Sequence, residues 1–340
     1  MRILSVVGRA YYGQPHAIEP MYLQFRLPLQ AMGHHVDHFD HMRITKETGP
    51  AACGEQFVRA VRAGGYNVVL YQTAGRDQMA RDAIPQAARY APIVAWNSDD
   101  DWQWDSYTRH ITPLFTFSVT TYPHVYESQR REFPNLLLSQ WGALDTYSDY
   151  EREKDLDFTF AGQVYKNRVP ELRALWRRAG LQVRGMGSLR IRCAPLNHRG
   201  FRDAAAKLFP SINRAMAFQE VHEIWNRSKI SYTPLGASVN PSQLQIKGRI
   251  FEMGLSGTMM LCQDSPAIER YYECGKEFIS FGDLDECIDK VRHYLSNEAD
   301  RRRIAEAYYR RTTREHLWEH RWNRLFEDIG LGAVAQTKVA

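Results

Sequence analysis

The 340-residue chain reads as an α/β protein with two doubly wound, Rossmann-like domains in tandem. Three observations predict this. Short apolar, β-branched runs alternate with helical stretches along the chain. The length suits two domains, each large enough for its own core. A polar, charged run over residues 146–155 separates two series of such units. Hydrophobic content of 44% and charged content of 24% are ordinary globular values.

Taken in order, strands of the first domain are expected at residues 2–7, 36–39, 67–72, 92–96, 114–120 and 136–140, with helices between them. Ligands of open α/β sheets bind beyond the carboxyl ends of the strands, so the loops there are the first candidates. After the first strand comes Gly8-Arg9-Ala10-Tyr11-Tyr12-Gly13, read as the lining of an acceptor site with Gly8 as a binding residue, the alternative being a plain βα turn. After the fourth comes Asn97-Ser98-Asp99-Asp100-Asp101-Trp102. Adjacent carboxylates repel, so they call for a cation, a solvated turn or hydroxyl partners, and a sugar supplies hydroxyls. The alternative is an N-cap with an acidic first turn for a helix starting at Trp102.

The second domain is expected to have strands at residues 157–161, 181–184, 230–233, 258–262 and 278–281. Its first strand runs into Gly162-Gln163-Val164-Tyr165-Lys166-Asn167-Arg168, a glycine turn followed by cations. The segment 246–281 carries the most information. A helix is expected from about Gln243, so that Gln245, Arg249 and Glu252 share one face and Ile246, Ile250 and Met253 the other. Gly257 ends it and a buried parallel strand follows. The helix start near Asn240 to Ser242 would offer N–H groups and positive dipole to a diphosphate. The expected division is 1–150, 151–312, a helix over 313–330 and a tail over 331–340.

Lys247, Arg249, Phe251, Glu252 and Gly257 stand in the spacing K-x-R-x-F-E-x-x-x-x-G, and the chain ends in E-H-L-W-E-H-R-W-N-R-L over 315–325. On these residues the segment from 156 to 326 resembles the CgeB-like group of GT-B glycosyltransferases, related to the large retaining family four. The resemblance implies two Rossmann-like domains facing a cleft and a last helix crossing back to the first. It implies transfer of a sugar from a nucleoside diphosphate sugar, a UDP-sugar first, to an acceptor hydroxyl, with retention and without a metal or other cofactor. Glu252 would hold the ribose, and Arg249, Lys247 and Arg168, with Lys166 and Gly162, the diphosphate. Asp99 or Asp100 would take the reacting sugar or acceptor hydroxyl, and Gln243 and Gln245, the neighbours of Leu244, are side chains able to hydrogen-bond a sugar. Where family four has a second glutamate, eight residues before the ribose-binding one, this chain has Leu244. The alternatives are a DNA-modifying glycosyltransferase acting on hydroxylated bases, a sugar-nucleotide epimerase and a non-catalytic GT-B-like binding protein.

Other features exclude or leave open. Five cysteines (53, 193, 262, 274 and 287) without a CxxC pair argue for a reducing, cytoplasmic setting. The first apolar run is too short for a signal peptide, and no segment reaches the length of a membrane span, which leaves peripheral contact open. His34, His35, His38 and His41 resemble a metal-rich stretch, but a strand separates their faces. No G-x-S-x-G, Walker or G-x-G-x-x-G motif occurs. The chain carries a formal +5, yet residues 166–214 alone carry +10, a field suited to the donor or to a polyanionic acceptor such as DNA, an acidic glycan or anionic lipid.

Overall fold

The computed structural model describes residues 1–10, 17–192, 215–237 and 243–332. Tyr11 to Gly13, the basic stretch beyond Arg192, Cys193, Asn240 to Ser242 and the tail beyond 332 lie outside the described residues. Contacts divide the chain into two units: Met1–Trp141 together with the chain from Trp318 onward, and Gly142–Leu317.

The first unit holds a parallel sheet in the order β2-β1-β3-β4-β5-β6. Its strands are β1 (Arg2–Val6), β2 (His35–Phe39), β3 (Val68–Gln72), β4 (Ile93–Asn97), β5 (Phe117–Thr120) and β6 (Leu136–Leu138). Each coincides with an expected run. The largest trimming is before β5, where Pro113 sits in a 3₁₀ turn, Thr112–Leu114, that delays the strand. β1 pairs with both β2 and β3, so the strand order reverses there. Leu4, Val6, Val69 and Tyr71 pack on Phe57 and Val61 of the helix Pro50–Gly64. The same sheet carries the helix Trp318–Asp328, whose buried Trp318 and Trp322 rings meet Phe25 and Trp96 at centroid distances of 5.0–6.2 Å.

The second unit holds a parallel sheet in the order β11-β10-β9-β7-β8. These are β7 (Leu156–Ala161), β8 (Gln182–Arg184), β9 (Ser228–Thr233), β10 (Met259–Gln263) and β11 (Ile279–Phe281). Phe158, Phe160, Ile230, Tyr232, Met259 and Leu261 form its core with Leu172 and Leu175. The linker is anchored in this unit: Asp149 N donates to Asn226 Oδ1, and Lys154 Nζ to the carbonyls of Asn226 and Ser256.

One expected element is different. The helix begins at Arg249 rather than near Gln243, running as Arg249–Glu252 and tightening to 3₁₀ over Met253–Leu255. Residues 243–247 instead fold back on the loop after β9. Leu244 bridges Gly236, Ala237 N donates to Gln243 O, and Gln245 N donates to Leu235 O. Gln245 therefore does not share a helix face with Arg249 and Glu252, and the helix is capped at Gly248. Gly257 ends the segment at φ 66° and β10 follows, as expected. Among the described residues no helix is long and apolar enough to cross a membrane.

Candidate functional site

The carboxyl end of the second sheet gathers the cations of the motif. Gly162 leaves β7 with φ 147°, and a side chain there would meet Arg249 Nη2 at 2.6 Å. Arg249 Nη1 donates to Ala161 O at 2.9 Å, with its guanidinium 5.5 Å from the Phe160 ring. Arg168 closes the 3₁₀ turn Lys166–Arg168 and is only 8% exposed. Its Nη2 donates to Gly236 O at 2.9 Å, its guanidinium lies 4.8 Å from the Tyr165 ring, and its Nε has no partner. Burial lowers its pKa from the ordinary value. Lys247 Nζ donates to Pro234 O at 2.7 Å and to the same Gly236 O at 2.9 Å. The loops after β7 and β9 and the motif helix are thus laced together by three positive side chains through backbone carbonyls. Such bonds orient the charges without neutralising them. Lys166 is exposed beside them, and Gln245 is buried on the folded-back segment.

Glu252 faces inward. It is 2% exposed, and its Oε2 accepts from Leu144 N at 3.0 Å and lies 3.2 Å from His222 Nε2. The sequence reading missed His222, because nothing local marks a partner thirty residues away.

In the first unit, β4 ends at Asn97, whose amide ties Thr73 Oγ1, Ser118 Oγ and Val119 O in a buried network. Asp99 then caps the short helix Asp100–Gln103, its carbonyl accepting from Trp102 N and Gln103 N. The helix starts two residues earlier than expected, so the N-cap reading and the site reading fall on the same residues. Asp100 is 2% exposed. Burial pushes its pKa up to about 6, against the pull of the Thr108 and Thr120 hydroxyls. Burial, and then the facing carboxylates of Asp101 and Asp99, hold the Tyr122 phenol well above its usual range. Trp102 is one of few large apolar side chains left exposed. Gly8 is buried, and a Cβ there would meet Met42 Sδ at 2.4 Å, so the Met42 side chain packs directly on the glycine. Beside it, burial raises the half-buried Glu19 carboxyl to about 7, a second residue that the sequence did not single out.

The four histidines of the suggestive stretch go to separate places. His34 meets the N-terminal amine, His35 meets Asp37, His38 meets Val7 O, and His41 is in the core. Among the described residues no group of three or more His, Cys, Asp or Glu side chains forms a metal-holding cluster.

A family model described as glycosyl transferase-like matches residues 149–327, more than half of the chain. The chain belongs to that family. Membership makes it a glycosyltransferase, and the matched region takes in the cation site, Glu252, His222 and all but the final residue of the helix Trp318–Asp328. No curated protein matches this glycosyltransferase in sequence. Solved structures do match it in fold. Anabaena HepE in complex with UDP-glucose is 10% identical with a TM-score of 0.61, over 97% of this chain and 99% of that one. A glycosyltransferase from Rickettsia africae ESF-5 gives 10% and 0.61 over 96% and 97%. An alpha-glucosyltransferase in complex with UDP-glucose and DNA containing an abasic site gives 10% and 0.64 over 97% and 99%. With its two parallel Rossmann-like sheets, the enzyme has the GT-B fold.

Proposed function

We propose that this enzyme transfers a sugar from a UDP-sugar to an acceptor hydroxyl, with retention at the anomeric carbon and without a metal ion. One observation carries the reading: in a chain of this family, Arg168, Lys247 and Arg249 meet at the carboxyl end of the second sheet. As the glycosidic bond breaks, negative charge grows on the departing diphosphate, and positive groups already oriented there stabilise it most. Lys166 adds an exposed charge, and Gly162 lets the chain pass close to Arg249. Glu252 takes the ribose and Gln245 the donor sugar. Asp99 or Asp100, on the first unit, takes the acceptor hydroxyl or the reacting sugar, and Gly8 lines the loop after β1. The K-x-R-x-F-E spacing supports placing the enzyme in the CgeB-like group. The choice of UDP is supported by the fold neighbours that hold UDP-glucose. A reducing, cytoplasmic setting fits the free thiols of Cys53, Cys262, Cys274 and Cys287.

The test is incubation with UDP-, GDP- and dTDP-sugars while free nucleotide is measured, with and without glycan, lipid-linked, small-molecule and duplex DNA acceptors. Nucleotide release that needs an acceptor, favours UDP and survives chelator is expected. Release without any acceptor would point to an epimerase, and loss of activity with chelator would overturn the metal-free mechanism.

A further inference from the structure

Tyr22, on the short helix Pro20–Gln24, gathers three side chains beside the carboxyl ends of β1 and β2. The Arg26 guanidinium lies 5.7 Å from its ring and that of Arg9 6.0 Å, while the His38 ring meets it edge-on at 4.6 Å. Arg26 Nη1 donates to the Tyr22 hydroxyl at 2.5 Å, and Arg26 Nε is buried without a partner. Both arginines belong to the first unit, apart from the cations of the motif.

Among the described residues no carboxylate forms an ion pair with either guanidinium. Asp40 is at the same end, but its oxygens accept from the backbone: Oδ1 from Arg43 N at 2.9 Å and Oδ2 from Arg9 N at 3.3 Å. The Glu19 carboxyl, pushed up to about 7 by burial, accepts from Met21 N. His38 gives its Nε2 hydrogen to Val7 O at 2.9 Å, and burial favours its neutral ring. Arginine stays charged at every working pH, and two guanidinium groups held on one phenol repel each other until an anion joins them. A tyrosine face attracts a cation but does not neutralise it.

The pair lies on the acceptor side of the first sheet. Ser98 Oγ meets Met21 Sδ at 3.8 Å, so consecutive residues of one helix touch the loop of Asp99 and hold the two arginines. Phosphate and carboxylate groups take two parallel N–H bonds from one edge of a guanidinium, and the Nε edge of Arg26 is the one that Tyr22 leaves unbonded. We infer that Arg9 and Arg26 bind an oxyanion of the acceptor, a phosphate monoester or a carboxylate, while its reacting hydroxyl lies at Asp99 or Asp100. The inference rests on the glycosyl-transfer reading above and narrows the acceptor to acidic molecules.

Glucose-6-phosphate and glucuronate are the probes, with glucose as their uncharged counterpart, titrated by NMR while UDP saturates the donor cations. At least one acid should bind about tenfold more tightly than glucose, the scale of one charge-assisted hydrogen bond, and which one does so separates phosphate from carboxylate. R26Q and R9Q should each remove about that tenfold and leave glucose unaffected. R26K, which keeps the charge without the fork, should recover part of it. UDP affinity and near-UV dichroism should stay as in wild type, and if R26Q does not fold, R9Q, at an exposed position, carries the test. No binding of either acid, equal binding of acids and glucose, or acid binding that survives both substitutions would overturn the inference and leave the arginines as packing for the turn after β1. Failure of UDP to bind would overturn the donor reading instead, and the same titrations without UDP would still decide the anion site.

Discussion

Asp100 keeps a carboxyl where water scarcely reaches, and this has a measurable sign. Its folded pKa of about 6 lies above the ordinary 3.8, because burial penalises the charged form. The stability it contributes is fully present below about pH 3.8 and is lost as pH rises through 6. Asp100→Asn keeps the Thr108 and Thr120 partners but has no proton to lose. Wild type should therefore lose about 3 kcal/mol relative to this variant between acid and neutral pH, read by urea denaturation, and parallel curves would refute it. Gly162→Ala acts through position instead of charge. It imposes a side chain at φ 147° and 2.6 Å from Arg249 Nη2, so Arg249 must leave Ala161 O. UDP affinity should fall about tenfold by calorimetry. The cations of the site were readable in the chain because a glycine turn and a motif mark them. The partners of Glu252 were not, because they come from a linker and a helix far away in sequence.

The helix Glu298–Glu315 owes its place beside the 3₁₀ turn Met253–Leu255 to a missing side chain. A Cβ on Gly254 would lie 2.0 Å from Thr312 Oγ1 and 2.8 Å from Thr312 Cβ. Thr312 is held there by Tyr308 O and the Tyr272 hydroxyl. Gly254→Ala should destabilise the second unit by about 1–3 kcal/mol, the usual range for overpacking. Thr312→Ala in the same chain should recover part of the loss, and purely additive losses in denaturation would show that the two elements do not press on each other there. Strands were the most readable elements. Apolar, β-branched runs between turn residues marked all eleven strands described in the two sheets. The motif helix was overextended for a physical reason. An i, i+4, i+7 pattern is only permissive, and residues 243–247 bury Gln245 and Ile246 equally well by pairing with the loop after β9. That pairing joins residues across a loop, and periodicity has no access to it.

The molecule completes its first unit with its last helix. Trp318 and Trp322 are completely buried, stack on each other at 5.2 Å, and meet Trp96 at 5.4 Å, while Trp322 Nε1 donates to Gln24 O. Trp322→Ala should cost about 3–5 kcal/mol. The loss should fall on the unfolding of the first unit, followed by near-UV dichroism, and leave the second unit's transition in place. A single transition shifted as a whole would show that the units do not unfold separately. There is also a consequence for synthesis. The residues that receive the two tryptophans, Gln24, Phe25 and Trp96, leave the ribosome long before them. At about 5–20 residues per second, the roughly 180 residues between Trp141 and Trp318 take on the order of 10–35 s to make. For that time the nascent first sheet carries an open aromatic socket, and the second unit has its whole sequence before Trp318 is added. Chaperone capture of ribosome-bound chains should therefore peak before codon 318 and fall once the last helix has emerged.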